Sequence, residues 1–363
     1  MLVDQHCHGV LADDLDEAEF GALITESDRP PAAGTSPFDS ALGLAVRRWC
    51  PPVFGLPALA GPAAYLAARR AAGGAGATRR LLAAAGLAHL LVDTGLTGAA
   101  GRPLLPPVEL AALAGAEVHT VVRLEHVAGG VTAEPHAWPE AVDEALATAC
   151  AGAVAVKSVL AYRAGLAVPP GPPSRAEVVR AAGDTGAGGP GTDRLTHPVL
   201  LRHLLWTAVG LGLPIQLHTG FGDPDLRLAE ADPALLVDFV RAVEPSGVPL
   251  VLLHGYPYHR QAAWLAQAFP HVYADVGLTL SYTGPRAAAV LGEVLELAPF
   301  GKVLFSTDAY GLPELFLVGA AQFRHALGRL LASWQADGAC GAADARRIGE
   351  LLSSGNARRL YGI

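Results

Sequence analysis

Lysine is nearly absent from this sequence. Only Lys157 and Lys302 among the 26 basic residues are lysines, so arginine carries almost all of the positive charge. Arginine cannot readily lose its proton or form a carbamate, whereas a lysine amine can do both. A lysine kept at the end of a strand in such a chain is therefore expected to serve amine chemistry, and Lys157 is in such a place. Lys302, which precedes a later strand, is expected on the opposite, stabilising face.

Runs of basic residues are also missing. The formal net charge is -8 and the isoelectric point is near 5.9. Nucleic acids and anionic membranes both require a concentrated positive patch, so neither is an expected partner. A small-molecule substrate is the simpler expectation for a chain of 363 residues that is 51% hydrophobic and can bury a large core.

Cysteine pairs and long apolar stretches are lacking as well. The four cysteines lie far apart without a CxxC pair, which argues against a disulfide framework and a structural zinc knuckle. The longest apolar stretches, such as residues 81–92, are too short to cross a bilayer, and no basic segment precedes the apolar N-terminal residues. We therefore expect a soluble protein of the cytoplasm.

What is present is a regular alternation of short apolar strands with amphipathic helices. One strand is predicted at the N-terminus and seven more at residues 90–94, 118–124, 153–159, 214–218, 249–254, 272–276 and 303–307. Alternating strands and helices imply a parallel sheet, and eight such units predict an α/β fold of the (β/α)8 TIM barrel type. The barrel is expected to form one domain over residues 1–363, with extra C-terminal helices at 313–336 and 342–352.

Two segments interrupt this alternation. Residues 10–88 contain helical stretches at 40–50 and 62–72 between Pro/Gly-rich breaks, and they predict a helical insertion after the first strand. The insertion could be a lid, a packing appendage or a surface for homo-oligomer formation. The Gly- and Pro-rich residues 169–196 are predicted to be a loop, either a mobile active-site loop or a surface insertion.

The ends of the predicted strands carry potential metal ligands. His6 and His8 are spaced i, i+2, which in a strand points both side chains to the same face, roughly 7 Å apart at Cα. A lone strand-end histidine is more often a buried core residue, but similar ligand types end later strands. The candidates are His6, His8, Lys157, His218, His254 and Asp308. Because the working face of such a barrel lies at the carboxyl ends of its strands, these side chains are expected to form one metal site.

In this order, His6-x-His8, Lys157, His218, His254 and Asp308 resemble the ligands of the amidohydrolase superfamily. Residues 156–166, 218–225, 254–259 and 306–314 are similar to the amidohydrolase-like half of the FluG-type proteins, which in fungi is fused to a glutamine synthetase I-like domain. The tail at 356–362 is similar to that of the wider subfamily.

The resemblance implies roles for these ligands. His6, His8 and Asp308 would hold one divalent ion, with zinc as the first expectation and manganese or iron as alternatives. In binuclear members, His218 and His254 would hold a second ion bridged by carbamylated Lys157; with one ion, the free Lys157 amine could neutralise a substrate carboxylate. The metal would lower the pKa of bound water towards about 7. The expected catalytic residues are Asp308, as the proton acceptor, His254 and Lys157.

Other polar residues near strand ends are candidates for substrate binding. They are Arg123, Glu125, Tyr162, Arg163, Asp223, Arg227 and Tyr258. Arg163 or Arg227 could bind a carboxylate with two hydrogen bonds, and Asp223 could accept hydrogen bonds from an amino group. The alternative is that half of these side chains fix loops, as Asp223-Pro224 could do in a turn.

The predicted function is metal-dependent hydrolysis of an amide C–N bond in a small polar substrate. A γ-glutamyl or amino-acid conjugate is suggested by analogy with the FluG-type proteins. The alternatives are a metal-dependent non-oxidative decarboxylase or C–C hydrolase with the same ligands, and a catalytically silent barrel that binds a metabolite.

Overall fold

The computed structural model describes residues 1–187 and 194–363 and contains an eight-stranded parallel sheet. Its strands are β1 Leu2–Cys7, β2 Leu87–Asp93, β3 Glu117–Arg123, β4 Ala155–Ser158, β5 Ile215–Thr219, β6 Leu250–His254, β7 Val272–Asp275 and β8 Val303–Leu304. They pair in chain order. The amide of Gln5 donates to Phe305 O at 3.1 Å and that of Asp308 to His6 O at 3.0 Å, which joins β1 to the segment after β8. The predicted (β/α)8 barrel is confirmed.

Most residues of the barrel strands are apolar on both faces because each face is covered, although Asp4, Gln5 and Gln216 are buried polar side chains. β6 is buried at all five residues, and a cluster that includes Val3, Leu91 and Leu253 fills the barrel interior. The opposite faces pack against the helices. A parallel sheet covered in this way produces continuous apolar runs rather than alternation, which is why its strands could be located in the sequence.

Sixteen α-helices are assigned among the described residues. They are α1 Glu17–Ala22, α2 Ala41–Trp49, α3 Pro62–Ala71, α4 Gly74–Ala85, α5 Pro107–Ala114, α6 Leu124–Gly129, α7 Trp138–Ala149, α8 Arg175–Thr185, α9 Pro198–Leu211, α10 Val237–Val243, α11 His259–Ala268, α12 Gly277–Thr283, α13 Ala287–Leu295, α14 Pro313–Ala336, α15 Ala342–Glu350 and α16 Asn356–Tyr361. Of these described helices, none is both long and apolar enough to cross a membrane.

The predicted loop at 169–196 is wrong in part, because α8 lies within it. Ser174 caps this helix and Glu177 completes a capping box with it. Their S-x-x-E spacing was a helix-start signal in a segment otherwise rich in glycine and proline. Residues 188–193 of the predicted loop lie outside the described residues.

The insertion between β1 and β2 contains α1 to α4 and is fixed to α14. Arg69 Nε lies 2.6 Å from Glu314 Oε1, and the Tyr65 hydroxyl donates to the same oxygen at 2.7 Å. Trp49 Nε1 donates to Gln322 Oε1 at 2.9 Å. These contacts bind the insertion to the helix that follows β8 and hold it near the carboxyl ends of the strands.

The opposite end of the barrel is covered by α16. Ala357 and Tyr361 of this helix belong to the apolar cluster inside the barrel. Asn356 Nδ2 donates to the carbonyls of Phe300 and Val303 at 2.7 and 2.8 Å, which ties the helix to the start of β8.

Candidate metal centre

Three histidines surround the carboxylate of Asp308. His6 Nε2 and His8 Nε2 lie 3.1 and 3.5 Å from Asp308 Oδ1. His254 Nε2 lies 3.5 Å from Asp308 Oδ2. β1 and the turn after it present His6 and His8 side by side, with their ring centroids 5.1 Å apart.

Lys157 and His218 complete the group. Lys157 Nζ lies 3.2 Å from His6 Nε2, and the rings of His218 and His254 have centroids 4.7 Å apart. The structure therefore brings all six predicted ligands together at the carboxyl ends of the strands. Lys157, His218 and the other histidines are buried.

The backbone is unusual at two of these residues. His254 has φ 65° and Asp308 has φ 50°, in the left-handed region that favours glycine. Such conformations cost about 1–3 kcal/mol each and persist only where the surroundings impose them. Here the Thr279 hydroxyl donates to His254 O at 2.6 Å, and the Asp308 amide is bonded to β1. These contacts hold both residues in this conformation, in which their side chains approach each other.

Burial sets the charge state of the centre. Burial lowers the pKa of His254 to about 3, and burial together with the Lys157 charge lowers the pKa of His6 to about 4. Both imidazoles are therefore neutral near pH 7, the form that binds metal. Burial also lowers the pKa of Lys157 to about 8. Burial would raise the pKa of Asp308, but the neighbouring His254 holds it well below its usual range.

The donor atoms fit a divalent cation. Within the described part of the chain, His218 Nε2 and both ring nitrogens of His254 are buried without a hydrogen-bond partner. Buried polar atoms are normally paired, so unpaired nitrogens beside a carboxylate are suited to binding a cation. Donor atoms of His6, His254 and Asp308 also lie within 4.8 Å of one another. Nitrogen and carboxylate ligands of this kind suit zinc, manganese or iron.

Asp93 at the end of β2 is a neighbour that sequence reasoning missed. It forms a second group of potential metal donors with His6 and His8. Arg123 donates to Asp93 Oδ2 from Nε at 3.0 Å and from Nη2 at 2.6 Å. Burial alone would raise the pKa of Asp93, but Arg123 and His8 lower it. An acid at the end of a predicted strand was the signal that could have found it.

Asp275 at the end of β7 was also missed. Its Oδ2 accepts hydrogen bonds from the His254 amide at 3.2 Å and from Ser306 Oγ at 3.0 Å, and lies 3.9 Å from His254 Nδ1. Burial raises the pKa of Asp275 to about 6. This carboxyl supports the strained turn that carries His254.

A cavity of about 420 Å³ opens onto the centre. Four of the predicted substrate-binding residues line it, namely Arg123, Tyr162, Arg163 and Asp223. Tyr162 also packs on His218, with ring centroids 4.5 Å apart. The cavity is therefore bounded by the candidate metal ligands on one side and by charged and aromatic side chains on the other.

The other three predicted substrate-binding residues lie outside this lining. Glu125 turns into the protein, where it accepts hydrogen bonds from Ser158 Oγ at 2.5 Å and the Val159 amide at 2.9 Å. Arg227 is exposed and pairs with Glu230 at 3.2 Å. Tyr258 lies at the start of α11. All three were chosen because they follow a strand closely in the sequence, but that closeness does not determine where a side chain points.

The insertion contributes Glu26 to the cavity wall. Its Oε1 accepts a hydrogen bond from the Tyr282 hydroxyl at 3.1 Å. Burial and the nearby Asp308 charge raise the pKa of Glu26 to about 8. No strand or motif marks this residue in the sequence, so only the folded insertion reveals it.

Comparison with protein families decides the assignment. A model described as amidohydrolase matches residues 100–363. The chain belongs to the amidohydrolase family. Protein fluG of Emericella nidulans is 33% identical over an alignment of 223 positions, which covers 58% of this chain and 26% of the fungal protein. The chain thus spans about a quarter of that relative's length, and the resemblance read from the sequence is confirmed.

Two solved structures extend the comparison of folds. One is a Lactobacillus casei protein with the provisional name of metal-dependent hydrolase, which is 28% identical to this amidohydrolase. The two match with a TM-score of 0.80 over 99% of this chain and 95% of the other. A uronate isomerase from Thermotoga maritima matches with a TM-score of 0.61 over 99% and 94% of the chains. It is 14% identical, so this second likeness shows the fold alone.

Proposed function

We propose that this amidohydrolase uses a divalent metal to hydrolyse an amide C–N bond in a small polar substrate. The observation that carries the proposal is the set of unpaired, buried nitrogens of His218 and His254 beside Asp308, at the base of a cavity. The provisional name of the Lactobacillus casei relative is consistent with it.

His6, His8 and Asp308 would hold one ion, zinc in the first instance, with manganese or iron as alternatives. His218, His254 and Lys157 would hold a second. A bound divalent ion supplies a Lewis acid that acidifies water and polarises a carbonyl. Asp308 accepts the proton of the attacking water at Oδ2, the oxygen with fewer contacts, and returns it to the leaving nitrogen.

Lys157 has two alternative states. Its neutral amine adds to CO₂ and loses one proton, giving an N-carboxylate that would bridge two ions. Left unmodified, Lys157 would instead hold a substrate carboxylate, because it lines the cavity. The second state favours the alternative function, a non-oxidative decarboxylase or C–C hydrolase with one ion.

Arg163 is the proposed anchor for a substrate carboxylate. It lines the cavity, and its Nε is buried without a hydrogen-bond partner among the described residues. Burial and the nearby Arg194 lower the pKa of this arginine. Asp223 on the same cavity wall would accept hydrogen bonds from an amino group. Together they fit an amino-acid conjugate such as a γ-glutamyl amide.

The insertion is proposed to act as a lid within one barrel domain. Leu23, Glu26 and Asp28 line the cavity, so closure of this segment would exclude water from the substrate.

The first experiment is metal content per chain, measured by plasma mass spectrometry on untagged protein purified without chelators. A panel of γ-glutamyl amides is then assayed for amine release. About two ions together with amine release are expected. One ion and CO₂ release from phenolic or keto acids would favour the decarboxylase, and no metal uptake from added zinc or manganese would overturn both.

Asp308→Asn tests the proton acceptor. The rate is expected to fall by about 10²–10⁴-fold because the carboxylate is lost, whereas part of the metal should remain because the amide keeps an oxygen. Asp143→Asn is the matched control: Asp143 accepts from Thr207 at 2.6 Å and lies outside the cavity. Unchanged activity in Asp308→Asn would remove this residue from the mechanism.

A further inference from the structure

Gln216 lies directly behind a candidate metal ligand. It precedes His218 by two residues on β5, so both side chains point into the barrel. Gln216 is fully buried, and its Oε1 lies 2.8 Å from His6 Nδ1. This contact is on the side of the imidazole opposite to Asp308 and Lys157.

The orientation of the Gln216 amide follows from its other neighbours. Its Nε2 lies 2.7 Å from Gln5 O, 3.0 Å from Gln5 Oε1 and 3.0 Å from the Tyr361 hydroxyl. A flipped amide would place an oxygen 2.7 Å from a carbonyl oxygen, which is repulsive. The amide oxygen therefore faces His6, and His6 Nδ1 must carry the proton and donate it.

This tautomer determines what His6 offers on its other side. With the proton on Nδ1, the neutral ring presents the lone pair of Nε2 to Asp308 Oδ1 at 3.1 Å. Two acceptors at that distance repel each other unless a cation lies between them. The amide contact thus leaves His6 ready to bind metal before any metal arrives.

Tyr361 links this contact to the far end of the barrel. Its hydroxyl donates to Gln5 Oε1 at 2.6 Å and accepts from Gln216 Nε2. Tyr361 belongs to α16, which covers the N-terminal mouth. We call Gln5, Gln216 and Tyr361 the Gln216 network.

We propose that Gln216, held by Gln5 and Tyr361, is a positioning residue that fixes His6 as the Nδ1–H tautomer and thereby sets the metal affinity of the site. The inference rests on the metal site of the proposed function, but not on amide cleavage. It gives the C-terminal helix a role in metal binding at the opposite mouth.

Gln216→Leu removes the amide oxygen that accepts the His6 Nδ1 hydrogen bond, and leucine is similar in size to glutamine. The zinc dissociation constant, measured by chelator competition, is expected to rise by about 10–100-fold. Gln216→Glu should retain affinity within severalfold, since a buried, protonated glutamic acid can accept from His6 and donate to Gln5. Tyr361→Phe removes the hydroxyl that contacts Gln5 and Gln216, and the zinc affinity is expected to fall by about fivefold.

Gln322→Leu is the matched control. Gln322 is also buried and makes two hydrogen bonds, to Trp49 and to Gly284 O, but it lies on α14 away from the metal ligands. Gln322→Leu is expected to lower the thermal stability about as much as Gln216→Leu does, but to leave the zinc affinity unchanged. Equal effects on zinc affinity in both glutamine variants would mean that the role of Gln216 is merely structural.

The tautomer itself can be read in metal-free protein. Long-range ¹H–¹⁵N correlation spectra of ¹⁵N-histidine-labelled protein should show His6 as Nδ1–H in the wild type and Gln216→Glu, with Nε2–H appearing in Gln216→Leu. The proposal would be overturned if His6 of the wild type carried its proton on Nε2. It would also be overturned if Gln216→Leu changed neither the His6 tautomer nor the zinc affinity. If Gln216→Leu does not fold, Tyr361→Phe and Gln216→Glu decide by the same readouts. A correct tautomer without amide hydrolysis would reject only the proposed reaction.

Discussion

The two lysines of this amidohydrolase lie at opposite ends of the barrel and have different partners. Burial lowers the pKa of Lys157 and of Lys302 to about 8 alike. Lys302 donates to the carbonyls of Ala266 and Phe269 at the end of α11, as cations at helix C-termini do. Lys157 instead faces the unprotonated Nε2 of His6. Burial lowers the pKa of both lysines, whereas their hydrogen-bond partners distinguish Lys157 from Lys302.

His89 and His254, at opposite mouths of the barrel, also differ in their partners. At the N-terminal mouth, His89 Nδ1 lies 3.0 Å from His119 Nε2, and His89 Nε2 lies 3.1 Å from Arg358 Nη2. Both ring nitrogens of His89 are therefore in contact with other side chains. At the carboxyl mouth, both nitrogens of His254 lack a partner among the described residues. His271, just before β7, also has two buried nitrogens that are unpaired within the described part of the chain, so what sets His254 apart is that its unpaired nitrogens lie beside the Asp308 carboxylate and other potential metal ligands.

Replacing each lysine by alanine should give the largest difference in activity between variants at the two ends of the barrel. Lys157→Ala is expected to lower the rate of amide hydrolysis by about 10²–10³-fold, because a charged group at the reacting centre is lost. Steady-state kinetics and metal content are the measurements. Acetate or propionate should restore part of the rate if Lys157 acts as a carbamate, since either acid supplies the missing carboxylate.

Lys302→Ala is the matched control for this contrast. It removes the same amine at the other mouth, so metal content and rate should stay at the wild-type level. A normal rate and two bound ions in Lys157→Ala would contradict the bridging role and remove the distinction between the two lysines.

Asn356→Ala should destabilise the N-terminal mouth without affecting activity. The variant leaves the carbonyls of Phe300 and Val303 without their side-chain donor. The free energy of unfolding is expected to fall by about 1–3 kcal/mol, as measured by urea titration. KM and kcat at 25 °C should be unchanged. A large loss of kcat in folded protein would mean that α16 acts on the metal centre by more than the Gln216 network.

The barrel strands and the candidate metal ligands could be predicted from the sequence for a physical reason. Strands covered on both faces are largely continuous apolar runs, so a histidine at the end of one, such as His218 or His254, is conspicuous. The order of such residues then indicated the family and the ligand set. Arginine's predominance likewise made Lys157 stand out.

Other residues near the candidate site could not be predicted from the sequence in this way. Gln216 lies inside β5, where a polar side chain could equally have faced a helix. Asp275 ends β7, but the predicted strand 272–276 placed it one residue inside the strand. Glu26 comes from an insertion whose path over the barrel no local pattern encodes. Glu125 and Arg227 follow strands but turn away from the cavity, because their side-chain directions depend on partners distant in sequence.

Lys302→Met tests the N-terminal mouth most finely. Methionine keeps the apolar stem but cannot donate to the carbonyls of Ala266 and Phe269. These atoms are only partly buried, so water can replace the amine, and the expected loss of unfolding free energy is about 0.5–1.5 kcal/mol. Urea titration against the wild type measures it, with zinc affinity as the parallel readout. A change in zinc affinity here would extend the influence of the N-terminal mouth beyond the Gln216 network, whereas unchanged affinity would confine that influence to α16 and the contact between Gln216 and His6.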